Sequence, residues 1–285
     1  MKTLPLFCTG FSFLLGCALY AQQPPPAPAP APADKEGINL KDASEEPKVK
    51  LDDTVKKANV PDVAPETPRT RELPGLEKLT QDQKKSLVAG MGEVSNYLRG
   101  VRLLESLEKL NEMESALGVS NHYIENLRGA VYTKMKDYKR ARVHFRKALE
   151  FAKDFEAEAF HPRFNLAELD FVEKQWDPAR DAFQKLLADP GKPTSGSDSL
   201  IKFKILICDL QQKKEAEAEE VMKTFDKYDA ESPAFYFGNA VKLFIKNDKE
   251  GANEWLESAR RIYPKEINEV YNDSLVEMGW LETLQ

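Results

Sequence analysis

The sequence predicts an all-α protein built as a solenoid of helix hairpins. A small residue stands four positions before a large apolar one in four places, and these places recur at a nearly regular interval along the chain. The four pairs are Ala141 with Phe145, Ala179 with Phe183, Ala218 with Met222, and Ala252 with Leu256. Neighbouring apolar residues recur at three- and four-residue spacings, which is typical of amphipathic helices. Such a period is typical of repeats that bury their apolar faces only against one another.

Residues 1–21 have the layout of a secretory signal peptide. Lys2 precedes a mostly apolar stretch without acidic residues, and a small residue, Ala21, stands at the expected cleavage point. A second interpretation takes Leu14 to Cys17 as a bacterial lipobox, in which Cys17 would be acylated and would begin the mature chain. Both routes predict export to the periplasm or cell envelope, and the second adds an outer-membrane anchor.

Residues 22–75 are expected to form a disordered linker. Residues 22–33 read QQPPPAPAPAPA, which favours extended polyproline geometry. The rest is rich in Lys, Glu, Asp and Pro, with too few apolar residues to offset the entropy of ordering. We therefore place the helical domain over residues 76–285.

The helical domain divides into five hairpins and a final helix. The first, over residues 80–117, is divergent: Leu103, Leu107 and Leu110 precede Ala141, Phe145 and Ala148 by the same interval that separates Ala141 from Ala179. The remaining hairpins are predicted over residues 122–153, 160–190, 199–227 and 233–264. An amphipathic helix over residues 266–284 is expected to cap the last hairpin.

The hairpin over residues 122–153 resembles a tetratricopeptide repeat. The resemblance is carried by Gly129, Tyr132, Tyr138, Ala141-x3-Phe145 and Ala148 at the offsets of that family. It extends from Thr80 to Leu284, although Leu206 stands where the family has a small residue. The resemblance implies a right-handed superhelical solenoid that binds a protein or extended peptide on the concave face formed by its first helices.

The family's groove-facing offsets fall on an apolar set of first-helix residues. The candidate groove residues are Tyr123, Asn126, Lys134, Phe164, Phe171, Phe203, Ile207, Phe237, Val241 and Phe244. An exposed apolar surface of this size is typical of a peptide groove. First helices also pack against one another, so a packed core is the alternative placement for the same side chains.

A second candidate surface is basic. It consists of Lys139, Arg140, Arg142, Arg146 and Lys147, all on one predicted helix. This face suits an acidic partner or anionic headgroups, or it is a solvated outer surface. The formal net charge of −6 argues against a nucleic-acid partner.

The sequence offers little for catalysis, and we predict that the protein is not an enzyme. It holds three histidines and, once the leader is removed, a single cysteine, Cys208. No motif for a metal or another cofactor occurs; Glu158-x2-His161 has a helical metal-ligand spacing, but we interpret it as a helix start. The expected function is a protein-interaction scaffold or adaptor of the bacterial cell envelope. The alternatives are an outer-membrane-anchored lipoprotein that assists envelope assembly and a carbohydrate-binding or uptake accessory lipoprotein.

Overall fold

The computed structural model describes residues 74–189, 191 and 197–282. Over these residues the chain is all-helical, with eleven α-helices and no strand. None of these helices is both long enough and apolar enough to cross a membrane. The predicted leader with Cys17, and the predicted linker as far as residue 73, lie outside the described residues.

The helices form five successive pairs followed by a single helix. They are α1 Gln81–Arg99, α2 Leu103–Leu117, α3 His122–Lys134, α4 Tyr138–Phe151, α5 Glu156–Val172, α6 Trp176–Leu187, α7 Ser197–Gln211, α8 Glu215–Met222, α9 Ala234–Ile245, α10 Lys249–Ile262 and α11 Lys265–Glu277. The two helices of each pair contact each other, and α2, α4, α6 and α10 also contact the helix that follows them. This packing confirms the predicted all-α fold of consecutive helix pairs.

The two helices of every pair are joined by the same backbone turn. One residue in each turn has a left-handed conformation, with φ between 55° and 62°. The next residue donates its backbone N–H to a carbonyl five positions back, as from Asp137 to Tyr132 at 2.9 Å and from Asp248 to Leu243 at 3.0 Å. This pattern closes the end of the first helix. The five left-handed residues are Val101, Lys136, Lys174, Lys213 and Asn247.

Small residues allow the helices of a pair to approach closely. A Cβ added to Gly129 on α3 would lie 2.5 Å from the Phe145 ring on α4. Ala141, which is fully buried on the same helix as Phe145, adds no bulk at the contact. In the fourth pair Leu206 is bulky, and the small residue lies on the next first helix. A Cβ added to Gly238 of α9 would lie 2.5 Å from the sulfur of Met222 on α8 and 3.2 Å from Leu206 Cδ2 on α7.

The register predicted for the first pair is wrong by three positions. Ser106, Leu110 and Met113 are the buried residues of α2, and they take the places that Ala141, Phe145 and Ala148 hold in α4. The small residue of this pair is therefore a serine, whose hydroxyl donates to the Arg102 carbonyl at 2.8 Å. A pattern of apolar residues does not reveal this position, because serine is polar.

Two helix boundaries also differ from the predictions. Helix α5 begins at Glu156, four residues before the predicted hairpin start at residue 160, and continues through Pro162. Glu158 lies in its first turn, as expected for a helix start, and His161 lies further along the helix. Helix α11 ends at Glu277, short of the predicted residue 284. Gly279 then takes a positive φ of 73°, and the Trp280 N–H donates to the Leu275 carbonyl at 2.9 Å.

The buried apolar residues form two main clusters. The first joins α1, α2 and α3 and extends from Leu79 to Val131. The second, which is larger, extends from Phe160 on α5 to Leu275 on α11. A small cluster of Ala141, Phe145 and Leu169 lies between them.

Candidate functional site on the first-helix face

The predicted open apolar groove is wrong for most of its residues. Seven of the ten candidates are buried, with at most 6% of each residue exposed: Phe164, Phe171, Phe203, Ile207, Phe237, Val241 and Phe244. They belong to the larger core cluster, so the packed-core alternative is the correct placement for them. Tyr123, Asn126 and Lys134 on α3 are half-buried.

The cause of this burial differs along the face. Phe164 and Phe171 on α5 pack on Phe183 of α6, with ring centroids 5.8 and 6.2 Å apart. Further along, the first helices are covered by α11 and the residues that follow it. The candidate groove is therefore already occupied at its C-terminal end by a helix of the same chain.

Tyr271 is the central aromatic contact of α11. Its ring lies 5.1 Å from that of Phe203 on α7 and 5.2 Å from that of Phe237 on α9. Its hydroxyl forms a 2.8 Å hydrogen bond with that of Ser232, and burial raises the pKa of the phenol above its ordinary value. Beyond the helix, Trp280 stacks on Phe244 with centroids 5.6 Å apart and an angle of 6° between the planes.

A buried charged cluster lies beside these aromatic contacts. Lys204 of α7, only 3% exposed, places its Nζ 2.8 Å from Glu168 Oε2 on α5 and 3.6 Å from Glu277 Oε2 on α11. The ammonium also lies 4.5 Å from the centroid of the Phe171 ring, a favourable cation–π position. One lysine thus faces two carboxyl groups from two different helices.

The charged cluster shifts the proton affinity of Glu277. Burial raises its pKa to about 8, and the charges of Glu168 and Asp273 act in the same direction against the opposing effect of Lys204. Glu277 therefore holds its proton more tightly than an exposed glutamate does. Burial would lower the pKa of Lys204, but Glu168 and Glu277 outweigh burial and raise it, so the lysine stays charged.

Several buried polar atoms where α11 packs make no hydrogen bond. Four are on α11: Asn268 Oδ1, Asn272 Oδ1, Ser274 Oγ and Glu277 Oε2. Glu168 Oε1, in the charged cluster opposite, is a fifth. Glu277 Oε2 has only its 3.6 Å ion pair with Lys204. Each buried polar atom without any partner costs about 1–3 kcal/mol, so α11 is held by its apolar and aromatic contacts against a polar penalty. We call the surface formed by Glu168, Phe203, Lys204, Phe237 and Phe244 the α11 seat.

The repeat pattern correctly predicts that Phe203, Phe237 and Phe244 share a face. It does not indicate that Tyr271 and Trp280 cover them, or that Lys204 and Glu277 meet beside them. The available signal was a lysine inside the apolar run from Ile201 to Leu210, a position where a charge needs a buried partner. That the partners lie on α5 and α11 follows only from the tertiary structure.

The predicted basic surface is partly neutralised. Lys139, Arg140, Arg146 and Lys147 are exposed on α4, as expected for an outer helix face. Arg142 instead pairs with Asp170 at 2.8 Å and with Glu173. Arg140 pairs with Asp137 at 2.5 Å and lies 4.4 Å from the Tyr132 ring centroid. The structure therefore leaves fewer free positive charges on this face than the sequence indicates.

A polar cluster around Glu125 lacks the geometry of a nucleophilic site. His144 Nδ1 lies 2.6 Å from one carboxylate oxygen, and the Ser120 hydroxyl donates to the other at 2.9 Å. Both groups meet the carboxylate and not each other, so the histidine is not placed to activate the serine. Burial acts to raise the pKa of Glu125, but the bonds from His144 and Ser120 outweigh burial and lower it.

Metal and thiol chemistry find no support among the described residues. No group of three or more His, Cys, Asp or Glu side chains has an arrangement that could hold a metal ion there. Cys208 is buried within α7, and burial raises the pKa of its thiol to about 12. The thiol therefore stays protonated and packs as a small apolar group.

The successive helix pairs and the face closed by α11 define the class of this protein, a helical-repeat protein. No protein-family model and no curated protein matches the chain. Among solved structures, a tetratricopeptide repeat protein from Parabacteroides merdae is similar at 16% sequence identity with a TM-score of 0.35. The similarity covers 65% of this chain and 83% of that one. Such a distant similarity carries no argument about function, so the class rests on the packing described above.

Proposed function

We propose that this protein is a non-enzymatic interaction scaffold that is exported to the bacterial cell envelope and binds a helical segment of another protein on its first-helix face. The observation that carries the proposal is the occupation of this face by α11. Tyr271 packs against aromatic rings of two successive first helices, so the surface has the composition and spacing to accept an amphipathic helix.

The half-buried part of the face extends the binding surface toward the N-terminal end of the array. Tyr123, Asn126 and Lys134 remain partly accessible on α3. The Asn165 amide donates to Asn126 Oδ1 at 2.9 Å, which links α3 to α5 through polar groups. A partner that follows the face would meet polar side chains on α3 and aromatic ones near α11.

Export is supported by the leader. An apolar stretch preceded by a single lysine is the pattern that secretion machinery recognises. Mass spectrometry of the mature N-terminus, after expression in a Gram-negative host, tests both processing routes. A mature chain that begins at Gln22 supports signal-peptide cleavage, an acylated Cys17 supports the envelope-lipoprotein alternative, and an uncleaved cytosolic chain contradicts export.

Site-specific photocrosslinking in that host tests binding on the first-helix face. A photoreactive residue replaces Lys134 on α3 in one variant and Lys139, which is exposed on the outer helix α4, in the matched control. We expect a discrete protein adduct from position 134 and little from position 139. Equal adducts from both positions, or none from either, would contradict the proposal.

A further inference from the structure

We infer that the α11 seat is an exchangeable site, and that its incoming occupant is an amphipathic helix of a partner protein that carries an aromatic residue and, six residues later, a carboxyl side chain. A turn after this helix presents a second aromatic residue three positions beyond the carboxyl, as Gly279 does for Trp280. The inference rests on the proposed function, because it names the chemistry of the partner that the first-helix face would bind. Tyr271, Glu277 and Trp280 supply this pattern in cis.

The aromatic requirement follows from the contacts of α11. Tyr271 is held against Phe203 and Phe237, which come from different helix pairs, and Trp280 stacks on Phe244. Aromatic pairs at such distances contribute beyond their buried area and fix the position of the incoming rings. A helix without an aromatic residue at the first position would leave the rings of Phe203 and Phe237 uncovered.

The carboxyl requirement follows from Lys204. Its ammonium is almost completely buried and already holds Glu168 at 2.8 Å, with Glu277 farther away at 3.6 Å. A cationic side chain in place of Glu277 would set two positive charges beside one carboxylate in the core, which is strongly unfavourable. A carboxyl or its uncharged isostere, an amide, leaves the Lys204 and Glu168 pair intact.

The reason for exchange lies in the polar atoms of α11. Asn272 and Ser274 each bury an oxygen without a hydrogen bond, and Glu277 Oε2 stays 3.6 Å from Lys204 Nζ, so α11 leaves polar groups poorly satisfied where it packs. A partner helix with apolar residues at the positions of Asn272 and Ser274 avoids part of that cost and makes the same aromatic contacts. It must still compete with a tethered helix, whose effective concentration is in the millimolar range.

Binding of a synthetic peptide to the full-length protein tests the exchange. The probe is a labelled peptide of residues 265–281, measured by fluorescence anisotropy against the unsubstituted chain and against the full-length Tyr271→Ala variant. This substitution weakens α11 in cis and leaves the seat unchanged. We expect the variant to bind the peptide at least about 30-fold more tightly, because the competing helix has lost its main contact.

Peptide variants test the carboxyl requirement without disturbing the fold. In the peptide, Glu277→Lys should weaken binding to the Tyr271→Ala protein by at least about tenfold. The matched reversal Glu266→Lys, at an exposed position of α11, should change it by less than about twofold, and Glu277→Gln should bind nearly as well as the parent peptide. Equal effects of the two lysine substitutions would overturn the role of Lys204.

Other outcomes separate this inference from the proposed function. Peptide affinity that is the same for both proteins would overturn exchange, and dimerisation of the variant in light scattering would assign the seat to a second copy of the chain. If the variant does not fold, amide hydrogen exchange of the unsubstituted protein tests the inference instead. A helix α11 that leaves its seat must show faster amide hydrogen exchange than α7 and α9. A partner crosslinked from position 134 and unaffected by excess peptide would leave the proposed function standing and overturn the inference.

Discussion

At the scale of single residues, the distance between paired helices is set by a few very small residues at the contact. Gly129 lies against the Phe145 ring, and no side chain larger than hydrogen fits between them without a shift. Phe145 is fully buried, so its ring has little room to move away. The contact therefore fixes the spacing of α3 and α4.

The Gly129→Ala substitution should destabilise the protein by about 1–3 kcal/mol, because the new methyl group overpacks the contact with Phe145. The matched control is Gly92→Ala in the interior of α1, where an added Cβ meets nothing within 4 Å. That change should stabilise by about 0.5–1 kcal/mol through helix propensity alone. Urea unfolding measures both, and a stabilising effect of Gly129→Ala would contradict the packing described here.

Two histidines, the buried His122 and the half-buried His161, should make the protein sensitive to mild acid. Burial lowers the pKa of His122 to about 4, and burial together with the charge of His122 lowers that of His161 to about 4. The unfolded chain, with an ordinary histidine pKa of about 6.5, takes up protons first, so the free energy of unfolding falls as pH drops from 6.5 toward 4. At pH 5 the loss is about 2 kcal/mol for His122.

Two measurements check this histidine effect. The urea midpoint should be lower at pH 5 than at pH 7, and the His122 imidazole signals in an NMR titration should not shift above pH 5. A titration midpoint for His122 near pH 6.5 would contradict its burial as a neutral ring, whose Nδ1 lies 3.2 Å from the Ala148 carbonyl oxygen.

At the scale of elements, α11 determines which first-helix residues are accessible. Helix periodicity places Phe237 and Phe244 on one face of α9, and the repeat register places Phe203 at the equivalent position of α7, so the sequence predicts that the three phenylalanines share a face. It does not predict whether the face is open, since that depends on contacts with residues 271–280, far along the chain. The same limit applies to Lys204 and Glu277, because these two side chains meet only when α5, α7 and α11 pack together.

Alkaline pH should weaken the attachment of α11. The pKa of Glu277 is raised to about 8, above that of a glutamate in an unfolded chain, so the folded state holds this proton more tightly. Stability from this group is fully present below pH 4.5 and declines as pH rises through 8. Once ionised, Glu277 adds a third carboxylate to Glu168 and Asp273 around the single ammonium of Lys204.

The Glu277→Gln variant isolates this effect. Urea midpoints of the unsubstituted protein should fall between pH 6 and pH 9, and those of the variant should fall less because the amide does not ionise. Glu266→Gln, on the exposed side of α11, is the matched control. The same pH dependence in all three proteins would show that Glu277 is not the titrating group.

At the scale of the whole described chain, stability is divided between two apolar clusters. One joins α1 to α3, and the other joins α5 to α11. Neighbouring helix pairs supply most of the contacts, as in other repeat proteins, so the two ends are expected to open independently. The fold was predictable from sequence for the same reason, since small and large residues at fixed offsets specify contacts within and between adjacent pairs.

Hydrogen exchange of cavity variants tests this division. Leu110→Ala, at a fully buried position of α2, should cost about 2–5 kcal/mol and accelerate exchange in α1–α3 while α7–α10 stay protected. Leu206→Ala, fully buried in α7, should produce the reverse distribution. Uniform acceleration along the chain in both variants would indicate one cooperative unit.

The left-handed turn residues mark the repeats more faithfully than the side chains do. Each turn residue lies five positions before the small residue of its second helix. The intervals between Lys136, Lys174, Lys213 and Asn247 therefore equal the intervals between the alanines of the corresponding second helices. Val101 holds the same place in the first pair, although Ser106 has replaced alanine there. The backbone turn is thus the same in all five described pairs even where the side chains differ, so the units stay aligned while they present different surfaces.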